Sequence, residues 1–297
     1  MSSFKYYERL LIVVGIFLVF FAITVISVPL IVTISPINAG SREGLLLIST
    51  FQALVLFIAP SLVTARVISR QPIRYLHLNR KPSWLSVIGV IFAYLIAIPA
   101  LNQIIYWNAN ISFPETMAYW GEVMKEMEDK ANLSASLMLN VESFGAMLVN
   151  LLIVALLTAF GEELFFRGTL QHTAASSGAY FTSIWVVALI FSAMHFQIFG
   201  FIPRLLLGAW FGYLLYWTKC IYVPVLAHFI NNGVVVVCTW LSAKGMTFNF
   251  EMFGVTEYGF PLPAFISALA FIIFIVYFKN FFFTKESYSK KEALIQS

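Results

Sequence analysis

The thirteen residues from Phe160 to His172, FGEELFFRGTLQH, place two adjacent carboxylates and an arginine directly behind eighteen uncharged residues, Phe144 to Gly161. An ionisable side chain at bilayer depth costs about 2.5 to 3.5 kcal/mol on insertion scales, so such residues mark functional sites by default. If the run is helical, Glu163 and Arg167 are four apart and share a face, where an ion pair offsets the desolvation of each. Glu162 then points about 100° away. One carboxylate is neutralised by its partner, and the other is free to face a cavity as a general base. The alternatives are a purely structural charge cluster, or a helix that ends at Gly161 and leaves all three groups in water.

Two further patterns lie downstream. In FSAMH, Phe191 and His195 are four apart; in HFINN, His228 and Asn232 have the same spacing and share a helical face. A carboxylate, two imidazoles and a carboxamide converging in a dry cavity suit the hydrolysis of an amide bond. Glu162 could deprotonate a water held by His195 and later protonate the leaving amine, while His228 and Asn232 donate hydrogen bonds to the tetrahedral oxyanion. A second version places zinc on the histidines and uses Glu162 to activate metal-bound water, with Glu162, His195 and His228 as the candidate metal residues. No HExxH pattern is present, and the spacing does not choose between the two.

Stepping from chemistry to scaffold, the breaker Ser176-Ser177-Gly178 separates the helix of Glu162 from that of His195. Glu162 precedes Gly178 by sixteen residues and His195 follows it by seventeen. At 1.5 Å per residue both stand about 25 Å from the turn, so an antiparallel pair brings them to one depth, provided the first helix runs unbroken past Gly168. His228 and Asn232 enter from the same side, roughly 9 and 15 Å beyond Tyr222.

Composition agrees with a membrane setting: of 297 residues, 60% are hydrophobic and 11% charged, with 30 phenylalanines and a mean hydropathy of +0.86. Soluble domains carry roughly 25% charged residues, so an all-α, polytopic membrane bundle with an intramembrane cavity is expected. The net charge of +4 gives no reason to expect a nucleic-acid partner. Apolar runs at Leu10–Ile34, Gly44–Ala65, Trp84–Asn108, Phe144 onward, Ala179–Gly200, Phe201–Thr218, Cys220–Ala243 and Tyr258–Phe278 make about eight crossings, the sixth being the weakest. The first run is too long for a signal-peptide core and reads as a retained helix.

Basic residues flank the first helix, the connection between the second and third, and the last helix, which places both termini in the cytoplasm. The connection Ala109–Ser143 is acidic and falls outside, with a short surface helix expected over Met117–Met127. The tail from Thr284 to Ser297 is polar and reads as loose. Cys220 and Cys238 read as packing residues, His77 and His172 as solvated or capping, and Asn102, Gln103, Asn150 and Gln197 as hydrogen bonders between helices.

Taken in order, EExxxR at Glu162, Glu163 and Arg167, FxxxH at Phe191 and His195, and HxxxN at His228 and Asn232 resemble the signature of the CAAX-protease and bacteriocin-processing family of intramembrane endopeptidases. The resemblance covers about Phe144 to Ala243. It implies an eight-helix membrane protease with Glu162 as the catalytic glutamate, His195, His228 and Asn232 completing the site, and Glu163, Arg167 and Phe191 in support. Both metal-dependent and glutamate-dependent chemistry have been assigned in that family, so the cofactor is either none or a divalent metal such as zinc. The chain then divides into three N-terminal helices with the acidic loop (1–143), a catalytic core (144–243), and a final helix with its tail (244–297), within one membrane domain. The expected partners are the lipid bilayer and a peptide or protein substrate, prenylated or otherwise hydrophobic, and the expected location is a bacterial plasma membrane. The competing class is a non-catalytic protein on the same scaffold, acting in bacteriocin immunity or transporter-like binding.

Overall fold

In a computed structural model the described residues are 4–34, 37–247 and 249–295, with side chains described through residue 279, and they form helices and connecting loops. In chain order the helices are α1 (Tyr6–Ile34), α2 (Arg42–Ile68), α3 (Trp84–Ala109), α4 (Ala118–Leu139) and α5 (Phe144–Ala175), followed by α6 (Tyr180–Ala193), α7 (Phe201–Thr218), α8 (Tyr222–Ala243) and α9 (Leu262–Ile295). Among the described residues seven helical segments are long and apolar enough to cross a membrane, and α6 is a shorter apolar eighth.

The weak crossing is therefore the fifth and not the sixth. With its leading 3-10 turn, α7 runs 21 residues from Ile198 to Thr218, whereas α6 stops after 14 at Ala193. Phe196 adopts a left-handed φ of 54°, and the Ser192 hydroxyl donates to the Phe201 carbonyl at 2.6 Å, so the helix ends there and the chain turns into α7. Other boundaries shift too. Helix α4 is 22 residues long, well beyond Met117–Met127, and carries an i, i+4 Glu126–Lys130 ion pair at 2.7 Å on its exposed face. The backbone of α9 stays helical to Ile295 where a loose tail was expected; residues 296 and 297 of that tail lie outside the described residues.

Helix α5 forms the centre of the bundle, with α2, α6, α7 and α8 packed against it. Its N-terminus is capped by the Ser143 hydroxyl, which accepts from the Ala146 amide. The helix runs unbroken to Ala175, as the depth argument requires, but not with uniform pitch. Two stretches, Leu151–Leu157 and Leu164–Gln171, are π-helical and flank Glu162 and Glu163 on either side. The hydroxyl of Thr158, directly after the first stretch, and that of Thr169, within the second, donate to the carbonyls of Ile153 and Leu164, five residues back, at 3.1 and 3.0 Å. Wide turns of this kind recur at functional sites because they redirect side chains.

Buried amides tie loops to this scaffold. Asn102 donates to the carbonyls of Phe250 and Phe253, Gln103 exchanges hydrogen bonds with the Thr256 backbone, and Asn150 donates to the Met138 carbonyl at the end of α4. Gln197 reaches Glu128 of α4 at 3.2 Å. Cys220 is buried, Cys238 half-buried, and both are free thiols. His77 and His172 depart from expectation: they are half-buried and hydrogen-bonded to each other, Nε2 to Nδ1, at 3.1 Å.

Candidate active site

Arg167 is fully buried, and each of its contacts follows from where α5 meets its neighbours. Its Nη1 donates to Glu163 Oε1 at 2.9 Å and its Nη2 to the Gly208 carbonyl at 2.9 Å. The guanidinium also lies 4.5 Å from the Phe191 ring centroid and 5.3 Å from that of Phe211. One turn further, Gln171 repeats the pattern by donating to the Gly212 carbonyl at 3.0 Å. Helices α5 and α7 approach this closely because Gly208 and Gly212 lack side chains. A Cβ at Gly212 would sit 2.7 Å from Gln171 Oε1, and one at Gly208 3.2 Å from Arg167 Nη2. Gly208 and Gly212 form a GxxxG pattern, the small-residue spacing of packed membrane helices, which is the signal by which the sequence marks this contact.

The pairing of Glu163 with Arg167 is present, and it carries more than the spacing indicated. Glu163 Oε1 also accepts from His228 Nδ1 at 2.8 Å. A carboxylate here can only accept, so the Nδ1 proton is fixed and His228 Nε2 is the nitrogen turned toward Glu162, whose Oε2 is 3.9 Å away. The ring is held flat against Phe211, with centroids 5.0 Å apart and planes 18° apart. Phe211 is a second residue missed in the sequence, being one of many aromatics in an apolar helix.

Glu162 is buried, and its Oε2 has no hydrogen-bond partner. A buried carboxylate oxygen in that state is costly unless something binds it, so it identifies where a ligand or reactant would be welcome. It faces a cavity of about 310 Å³ shared with Asn232, whose side chain lies one turn beyond His228 on α8. Ser49, Gln52 and Thr158 supply other polar groups, against apolar walls from Phe57, Leu139 and Val236. These residues come from the halves of α2, α5 and α8 nearest the 109–143 connection. The cavity therefore extends toward that end of the bundle, while Arg167 and the α5–α7 contact fill the other direction.

His195 stands just past the last turn of α6, where its Nδ1 donates to the Phe191 carbonyl at 2.8 Å and leaves Nε2 unprotonated in the neutral ring. Phe191 lies between the histidines, with its centroid 5.0 Å from that of His195 and 6.0 Å from that of His228. Glu162, Glu163, Arg167 and His228 thus form one contact cluster, Asn232 shares its cavity, and His195 joins through Phe191. Among the described residues no three His, Cys, Asp or Glu side chains come together as a metal-holding group. The donor set as arranged does not fit a three-ligand zinc.

A Bacillus subtilis (strain 168) protein, uncharacterized protein YpbD, is 34% identical over 89 residues, which make up 29% of this chain and 43% of the relative. The similarity thus spans less than half of that protein. No solved structure matches significantly. Residues 144–234 match the family model of Rce1-like type II CAAX prenyl endopeptidases. Every residue of the cluster, from Glu162 to Asn232, lies within that matched segment, in agreement with the CAAX-protease and bacteriocin-processing family of intramembrane endopeptidases.

Proposed function

We propose that this protein is an intramembrane endopeptidase that hydrolyses a peptide bond in a hydrophobic or lipidated substrate, with Glu162 activating the water. The observation that carries this reading is a buried Glu162 that lines a cavity while its Oε2, without a hydrogen-bond partner, lies 3.9 Å from an imidazole nitrogen whose ring is oriented by Glu163. In the reaction Glu162 takes a proton from a water, and the oxygen bonds to the substrate carbonyl carbon. The resulting oxyanion accepts from the Asn232 carboxamide. The C–N bond then breaks as Glu162 returns the proton to the leaving nitrogen. His228, its Nδ1–H donated to Glu163, presents Nε2 to Glu162 Oε2 across 3.9 Å. His195, with Nε2 available, holds the water or the substrate amide from the α6 side.

The apolar walls suit hydrophobic side chains flanking the scissile bond, which supports a hydrophobic peptide as the substrate class. The test is incubation of the purified full chain with hydrophobic and lipidated peptides, read by mass analysis, beside Glu162→Gln. Cleavage by the parent and its loss by at least about 1,000-fold in a folded variant are expected; undiminished cleavage by that variant would remove Glu162 from the mechanism.

A further inference from the structure

We propose that the end of the bundle opposite the Glu162 cavity is a binding site for a phosphorylated anion, best matched by the headgroup of an acidic phospholipid. A cavity of about 720 Å³ opens there, and Arg9, Arg70, Arg74, Arg80 and Lys219 all line it. No aspartate or glutamate is among its lining residues, and none of those residues lines the Glu162 cavity. Cations gathered around one space repel each other, and an anion between them removes that repulsion. Guanidinium groups present paired donors matched to phosphate oxygens, which makes an arginine-rich wall more selective for phosphate than a diffuse positive surface.

The wall is built, not incidental. Arg9 Nε is held by the Phe4 carbonyl at 3.1 Å, and Lys219 Nζ sits 4.4 Å from the Tyr216 ring centroid and 5.8 Å from that of Tyr180. Lys219 itself has a left-handed φ of 51° at the C-terminus of α7, and His77 has one of 57°. The His77 carbonyl accepts from the Ile221 amide at 3.3 Å, which fixes the α2–α3 connection against the α7–α8 turn. Burial above all, with the nearby Lys219 charge, pulls the His77 imidazole down to about 3, so His77, hydrogen-bonded to His172, contributes neutral polar surface to the wall.

Position separates a lipid from other sources of phosphate. Arg9 lies in the first turn of α1, Arg70, Arg74 and Arg80 in the connection that follows α2, and Lys219 directly after α7, beside the last turn of α5, which is where spanning helices leave the hydrocarbon and lipid phosphates lie. Basic pockets between membrane helices at this level are suited to anionic headgroups. Exposed Tyr6, Tyr7 and Ile73 lie beside the same segments, as interfacial anchors do.

The experiment uses the full chain purified in a neutral maltoside detergent. Binding of dioctanoyl phosphatidic acid, dioctanoyl phosphatidylcholine and inorganic phosphate is measured by native mass spectrometry and by the shift in melting temperature. Phosphatidic acid is expected to bind and stabilise, phosphatidylcholine to do neither, and Arg70→Gln/Arg74→Gln to weaken phosphatidic acid binding at least tenfold. Both arginines are exposed, so the variant should melt as the parent does without ligand; Arg70→Gln alone is measured if the pair does not fold. Binding of inorganic phosphate with the same arginine dependence supports the site with a free anion as its source. Equal binding of both lipids, unchanged affinity in the variants, or no response to either phosphate compound overturns the proposal.

Discussion

Replacing Arg167 by methionine isolates the energetics on which the site is built. The side chain is fully buried, and its removal leaves Glu163 in the bundle interior without its guanidinium and the Gly208 carbonyl without its donor. Breaking one member of a buried ion pair costs about 3 to 5 kcal/mol, mostly because the surviving charge is uncompensated. Glu163→Gln should cost a similar amount by stranding the guanidinium. The double variant Arg167→Met/Glu163→Gln carries neither charge, so its loss should fall short of the sum by at least about 2 kcal/mol. Reversible unfolding in mixed micelles of maltoside and dodecyl sulfate, followed by the fluorescence of the seven tryptophans, measures all three. A loss below about 1 kcal/mol in Arg167→Met, or strict additivity in the double variant, would refute the claim that the pair stands or falls together.

Other outcomes follow from the same geometry. Asn232→Ala should lower kcat by about 100-fold or more while leaving unfolding unchanged, as expected for loss of an oxyanion donor, and steady-state cleavage assays beside a melting curve check both halves. Gly212→Ala should destabilise by about 1 to 3 kcal/mol, because the new Cβ falls 2.7 Å from Gln171 Oε1 and 2.9 Å from Ile184 Cγ2; the same unfolding assay reads it. His77, held down to about 3 in the folded protein against an ordinary value near 6.5, binds its proton more readily when unfolded. Its neutral state therefore supports the fold fully above about pH 6.5, and that support is lost as pH falls toward 3; melting temperatures across this window should decline less steeply in His77→Gln.

The sequence carried the membrane class and the polar constellation because both depend on features that hold over long stretches: unbroken apolar runs, and ionisable groups where none belong. It carried Glu163–Arg167 because four-residue spacing survives the local pitch change. It misjudged α6 because helix termination there depends on one left-handed residue, Phe196, and on the Ser192–Phe201 bond, neither of which leaves an apolar-run signal. The π-helical turns around Glu162 were equally hidden, since composition alone does not distinguish a 3.6-residue turn from a wider one. His77 and His172 were misread because they meet only through the docking of a connection onto the end of α5, a contact between residues 95 apart.

Glu163 Oε1 receives hydrogen bonds from both Arg167 and His228, so one atom anchors the helix core and orients the His228 imidazole. Directed evolution for heat tolerance would have little freedom at this position, because any replacement without an acceptor here releases the guanidinium and the imidazole together. On the proposed function, folding robustness and turnover would be linked by a shared acceptor, and improvement of either would have to come from elsewhere in the bundle.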